Sequence, residues 1–210
     1  MCYRAYAAMR VIYVVGWVTG VTQLHNVVYV VCHESSIILM YTADTLSPLG
    51  EGIDVQGMRD PFDIVASQCD RQLYVADYHC CIWRVSADGH SYVKWLPTHE
   101  STTHTFHVRA LSLTSRGLLV TSWRPPSLRQ YRTSDRQLLR VVEMPQYVSW
   151  LWHGIEITRD TFVVGHVGTS LNSWQYAVSE LFRFCLVQQF YCNYNTQLNN
   201  LTDTSNSSRY

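Results

Sequence analysis

Charge is scarce in this chain. Asp, Glu, Lys and Arg make up 15% of its 210 residues, the two signs cancel to a formal net charge of zero, and lysine occurs only at Lys94. Such a chain has no global pull toward nucleic acid or an anionic membrane. Long hydrophobic runs are lacking too. The apolar stretch at 11–18 follows Arg10 closely, is too short to span a bilayer and has no A-x-A-like cleavage site after it. It is therefore expected to be a strand, with no membrane partner. Also missing are C-x-x-C, H-E-x-x-H, an Asp-rich calcium loop and G-x-S-x-G, so no catalytic motif and no cofactor is assigned. The seven cysteines are odd in number and irregularly spaced, with Cys80 and Cys81 adjacent. Reduced thiols and an intracellular location are expected rather than a disulfide framework.

What the chain does have is apolar and aromatic residues: 47% hydrophobic, with 14 Tyr and 7 Trp. This composition favours strands and supplies a core. The stretch 60–97 reads as four short strands: apolar runs at 62–67, 73–76 and 82–86, then an alternating run at 92–96. Asp88-Gly89 closes the third run with a hairpin dipeptide. The plan repeats. Val28-Tyr29-Val30-Val31, Leu73-Tyr74-Val75-Ala76, Leu118-Leu119-Val120-Thr121 and Phe162-Val163-Val164-Gly165 are spaced by 45, 45 and 44 residues. That period is the one propeller blades occupy.

The fold expected is therefore an all-β propeller of four four-stranded blades, at about 18–58, 59–97, 106–145 and 147–190. Residues 1–17 would form an outer strand or the remnant of a further blade, and the Asn/Ser/Thr-rich segment 191–210 a disordered tail. Within the blades, strands are expected at 18–24, 27–32, 37–42 and 53–57 in the first, and at 108–114, 117–122, 128–133 and 138–143 in the third. In the fourth they are expected near 147–150, 161–164, 173–178 and 181–190.

Pro61-Phe62-Asp63-Ile64-Val65, Leu73-Tyr74-Val75-Ala76-Asp77 and Ile82-Trp83-Arg84-Val85 together resemble the blade signature of NHL-repeat-like β-propellers. The resemblance covers 60–89, and Cys80-Cys81 stand where such blades often carry Asn and Arg. It implies a radial fold used for binding proteins or RNA, and in a few relatives for metal-assisted chemistry. Rings of this kind more often have six blades. Four blades are then either a closed small ring or an incomplete one, and the second is favoured; an open ring would associate with itself.

In such a blade the loop between the second and third strands opens on one face. His33, His79 and His166 occupy that loop in three blades, and His99, His104 and His107 fall in or beside the link between blades two and three. Imidazoles converging there with Glu34 or Glu100 would suit zinc or copper. No metal is assigned, the candidates for holding one being His33, His79 and His166. Trp123-Arg124-Pro125-Pro126 fills the same loop of blade three, a composition favoured at binding hot spots. Charge is unevenly spread: residues 34–77 carry eight acids against two arginines, and 109–140 seven arginines against Asp135. Matching between blades, or solvated edges, explains that asymmetry most simply. Asp77 is expected to be structural, and Trp83, Trp95, Trp150 and Trp152 to pack between blades.

The function expected is a non-catalytic scaffold binding a protein or peptide through this loop face. Its contact residues would be Tyr78, His79, Trp123, Arg124, Arg129 and Arg132. A metal-dependent lyase or hydrolase on the same scaffold is one alternative. RNA binding through the Arg-rich third blade, disfavoured by the zero net charge, is the other.

Overall fold

The computed structural model describes residues 11–78, 81–97, 106–146, 148–168, 175–181 and 188–191. Of the expected tail only Tyr191 is among them, as the last residue of a strand, and residues 11–17, expected to be part of a strand, form none. Blade one is built from β1 (Val18–Leu24), β2 (Val27–Cys32), β3 (Ile37–Thr42) and β4 (Ile53–Asp54). Blade two holds β5 (Pro61–Ser67), β6 (Gln72–Asp77), β7 (Cys81–Ser86) and β8 (Tyr92–Pro97). Blade three holds β9 (His107–Thr114), β10 (Gly117–Arg124), β11 (Pro126–Tyr131) and β12 (Leu138–Glu143). Blade four holds β13 (Val148–Thr158), β14 (Thr161–Gly168), β15 (Gln175–Leu181) and β16 (Gln188–Tyr191). Each blade is a four-stranded antiparallel meander in chain order, so the protein is an all-β propeller.

The first strands β1, β5, β9 and β13 lie beside one another in succession and form the inner wall. Each middle strand is buried on both sides because alternate residues face different neighbours. On β6, Leu73 and Val75 join the cluster shared with blade one, while Tyr74 and Ala76 join the one shared with blade three. Three apolar clusters thus fill three seams: Leu24, Val31 and Ile38 against Ile64, Val75 and Trp83; Tyr74, Ile82 and Trp95 against Val108, Leu118 and Tyr131; Leu119 and Leu128 against Leu151, Phe162 and Val164. No such cluster joins blade four to blade one among the described residues, and the ring is not closed. Its open side leaves Val21 of β1 and Ile155 and Ile157 of β13 at 57%, 41% and 49% exposure.

Blade packing is tightest where glycine removes a side chain. A Cβ on Gly20 would sit 2.9 Å from the Ile64 backbone nitrogen and 3.0 Å from the Asp63 Cα, so β1 approaches β5 only because residue 20 has none. Blade one's outer strand shrinks to Ile53–Asp54 instead of running over 53–57, since Gly52 and Gly57 both hold positive φ (89° and 91°) and bend the chain out of the ladder. β13 runs on to Thr158, well past residue 150.

Trp83 and Trp95 are buried between blades. Trp150 and Trp152 are not. Trp152 is 38% exposed and Trp150 half-buried: they touch blade three, Trp150 on Trp123 and Trp152 on Arg109, at the edge of a hollow rather than inside the apolar seam.

Candidate functional site

A single backbone irregularity recurs in all four blades. On β1 the pairing with β2 passes from Val18↔Cys32 to Gly20↔Val31, skipping Thr19. β5 skips Phe62 between Pro61↔Asp77 and Asp63↔Ala76, and β9 skips Arg109 between Val108↔Ser122 and Ala110↔Thr121. β13 skips Trp152 between Leu151↔His166 and His153↔Gly165. A bulge inserts one unpaired residue and re-aims its side chain. Here the inserted residues are Thr19, Phe62, Arg109 and Trp152, one per blade at the same height of the inner wall, and all four border a hollow along the axis. The hollow has a part of about 280 Å³ lined from blades two to four and by His33 of blade one, and a shallower part of about 640 Å³ that reaches Trp17 and Val18.

A second tier comes from the residues just past β2 and β6 and from their counterpart within β10: His33, Tyr78 and Trp123, which share one repeat position. Together with the bulge residues and Trp150 they make a continuous aromatic surface. Ring centroids are 5.8 Å apart for Trp17–His33, 6.3 Å for His33–Phe62, 5.4 Å for Phe62–Tyr78, 6.2 Å for Tyr78–Trp123 and 4.8 Å for Trp123–Trp150. The last two pairs are stacked, with ring planes inclined by 20° and 25°. His107 sits 5.5 Å from Trp123.

Polar groups punctuate this surface. The Arg109 guanidinium lies over two rings, 4.4 Å from Phe62 and 4.0 Å from Trp152, and its burial lowers its pKa. Arg124 covers Trp123 at 4.6 Å and Trp150 at 5.5 Å. His33 Nε2 stands 3.3 Å from Asp60 Oδ1. Asp63 accepts the backbone N–H groups of Ile64 and Leu111, both at 2.8 Å, and so ties blade two to blade three. Desolvation raises the Asp63 pKa, with those two hydrogen bonds and the charges of His153 and Arg109 opposing the rise.

Asp77 holds the frame. Its carboxylate accepts the backbone N–H groups of Arg59 and Asp60 at 3.1 and 3.3 Å and the Trp83 indole N–H at 3.1 Å, while the Tyr78 N–H donates to the Asp60 carbonyl at 3.0 Å. Both a site carboxylate, Asp60, and a site ring, Tyr78, are therefore placed by a buried side chain beneath them.

Of the residues singled out in the sequence, Tyr78, Trp123 and His33 line the hollow, while Arg124 is exposed beside it, stacked on Trp123 and Trp150. His79, His99 and His104 lie outside the described residues. Arg129 stacks on Phe106 at 4.5 Å, and Arg132 pairs with Asp135 at 2.8 Å in the β11–β12 turn, so neither borders the hollow. Arg129 pairs with Val120 in the middle of the β10–β11 ladder and Arg132 lies past its far end, which separates both from Arg124. His166 is 1% exposed within blade four and is not on the hollow's wall beside His33. Among the described residues no group of three or more His, Cys, Asp and Glu side chains comes together as a metal centre. The arginine-rich segment is largely engaged internally: Arg109, Arg124 and Arg129 on rings, Arg132 with Asp135, and Arg116 and Arg140 with blade four's Asp160.

Sequence reasoning missed Phe62, Arg109, Trp150 and Trp152 as site residues. Cys32 and Cys81 are buried and Cys69 is exposed.

No protein-family model and no curated protein sequence matches this chain. Solved structures resemble it in fold. A computationally designed protein, Ika4, superposes with a TM-score of 0.51 at 12% identity, over 84% of this chain and 91% of its own. A chain of a nidogen/laminin complex gives 0.57 at 14% identity, over 78% of this chain and 60% of its own. A protein from Lactobacillus plantarum gives 0.54 at 17% identity, over 83% and 55%. The chain thus spans little more than half the length of these last two.

Proposed function

We propose that this protein is a non-catalytic binding module that seats a segment of a protein or peptide in the axial hollow. The observation that carries this reading is the bulge repeated in every blade. A register break costs a ladder hydrogen bond, and four of them at one height turn four side chains toward a single space. The surface so made is mainly aromatic, with Arg109, His33 and Asp60 as its polar points and Arg124 stacked over Trp123 and Trp150 beside it. Tyr, Trp and Arg are the residues that dominate binding hot spots. The blade signature at 60–89 supports the same view, since NHL-like propellers commonly serve as binding scaffolds.

A peptide-display selection on the whole chain tests it. Peptides enriched on the native protein should bind Trp123→Ala about thirtyfold more weakly, the loss expected when a hot-spot ring is removed. An unfolding curve of the variant controls for lost structure. Failure to enrich any peptide, or peptides indifferent to residue 123, would overturn the reading.

A further inference from the structure

The Arg109 guanidinium is stacked against two rings, its central carbon 4.4 Å from the Phe62 centroid and 4.0 Å from that of Trp152. A guanidinium stacked this way keeps its N–H donors in the plane, at its edge, and its rotamer is fixed before any ligand arrives. Among the described residues that edge meets no hydrogen-bond acceptor and no ion-pair partner. Asp63 is near enough to act on it electrostatically, but its carboxylate accepts the Ile64 and Leu111 N–H groups and makes no hydrogen bond or ion pair with Arg109. Asp60, the other carboxylate of the hollow, faces His33.

We propose, resting on the binding function above, that Arg109 is a clamp for one carboxylate of the seated peptide, taken edge-on by two parallel N–H···O bonds. The fork of a guanidinium matches a planar carboxylate in this bidentate way. A phosphate is the poorer match, because its second negative charge would be held near Asp60 and Asp63 in a hollow walled by rings. A carboxylate carries a single charge and can bring an apolar body to the aromatic wall. The carboxylate comes either from the peptide's C-terminus or from an Asp or Glu side chain.

The test uses a minimal probe first: N-acetyl-L-phenylalanine against its C-terminal amide, titrated into the intact chain and read by NMR shifts of the indole N–H signals. The acid should bind at a roughly millimolar dissociation constant, as its size allows, and the amide should not bind measurably. Arg109→Gln should abolish the acid's binding. Arg109→Lys, which keeps the charge without the fork, should recover only a minor part of it. Equal binding of acid and amide, full rescue by lysine, or no binding of the acid overturns the clamp. Selected peptides supply the second arm. Amidating the C-terminus, or changing Asp and Glu to Asn and Gln, should cost about 10- to 100-fold on the native protein and nothing on Arg109→Gln; whichever change does so identifies the source. Peptides that need Trp123 but ignore their own carboxylates would leave the binding module standing and take down the clamp. An acid that needs Arg109 in a protein selecting no peptide would do the reverse.

Discussion

Asp77→Ala lowers the unfolding free energy by about 4 kcal/mol, the largest single-residue loss expected in blade two. Asp77 is 1% exposed and accepts three N–H donors. Removing the carboxylate leaves the Asp60 N–H and the Trp83 indole N–H without it, and each unsatisfied buried donor costs about 1–3 kcal/mol. A methyl group cannot fill the volume, so a cavity term adds to this. Asp77→Asn should lose roughly half as much: one carbonyl oxygen remains to accept, while the amide NH2 is forced against a donor. Denaturant midpoints measured on both variants check the ordering. An Asp77→Ala loss under 1 kcal/mol would mean that the carboxylate is not the keystone described above. The same substitution should weaken binding at the hollow, since Asp60 and Tyr78 are both placed through the Asp77 hydrogen bonds.

That result would also explain why Asp77 was readable from the sequence while the site above it was only half so. An aspartate ending an apolar run is a local signal of a structural role, although the N–H groups it holds belong to Arg59, Asp60 and Trp83 rather than to its own turn. Local signals also mark β1, β2, β3 and β12, whose bounds coincide with their apolar runs. The bulges are different. Whether Phe62 or Arg109 is paired or skipped depends on register with a strand ten or more residues away, and a skipped residue looks like its paired neighbours in composition. Trp150 and Trp152 read as core because a tryptophan in an apolar run usually is core. Only their place on an inner strand beside the hollow, outside the apolar seam, makes them wall. Arg109 was hidden by its company. It stands first in a run of seven arginines, and the sum of their charge pointed to a surface patch, although most of them meet a ring or an acid inside the fold.

The last of those arginines yields the other large effect. Arg140 on β12 reaches across the seam to blade four, where its guanidinium donates to Glu156 at 2.9 Å and to Asp160, with its flat face 4.5 Å from the Phe162 ring. Arg116 adds a longer contact to Asp160 at 3.8 Å. The Glu156 side chain is only 5% exposed and Arg140 20%. Taking one partner from a buried pair strands the other charge, which costs about 3–5 kcal/mol, whereas replacing both by apolar residues of similar volume is often nearly neutral. Arg140→Leu should therefore destabilise the protein by about 3 kcal/mol, and Arg140→Leu combined with Glu156→Leu should recover most of that loss. The remaining deficit would reflect Asp160, which keeps Arg116 but loses its closer partner. A double-mutant cycle in denaturant measures the coupling directly. If the two single losses simply add, blades three and four are joined by their apolar seam alone, and the charge asymmetry along the chain is a matter of solvated edges.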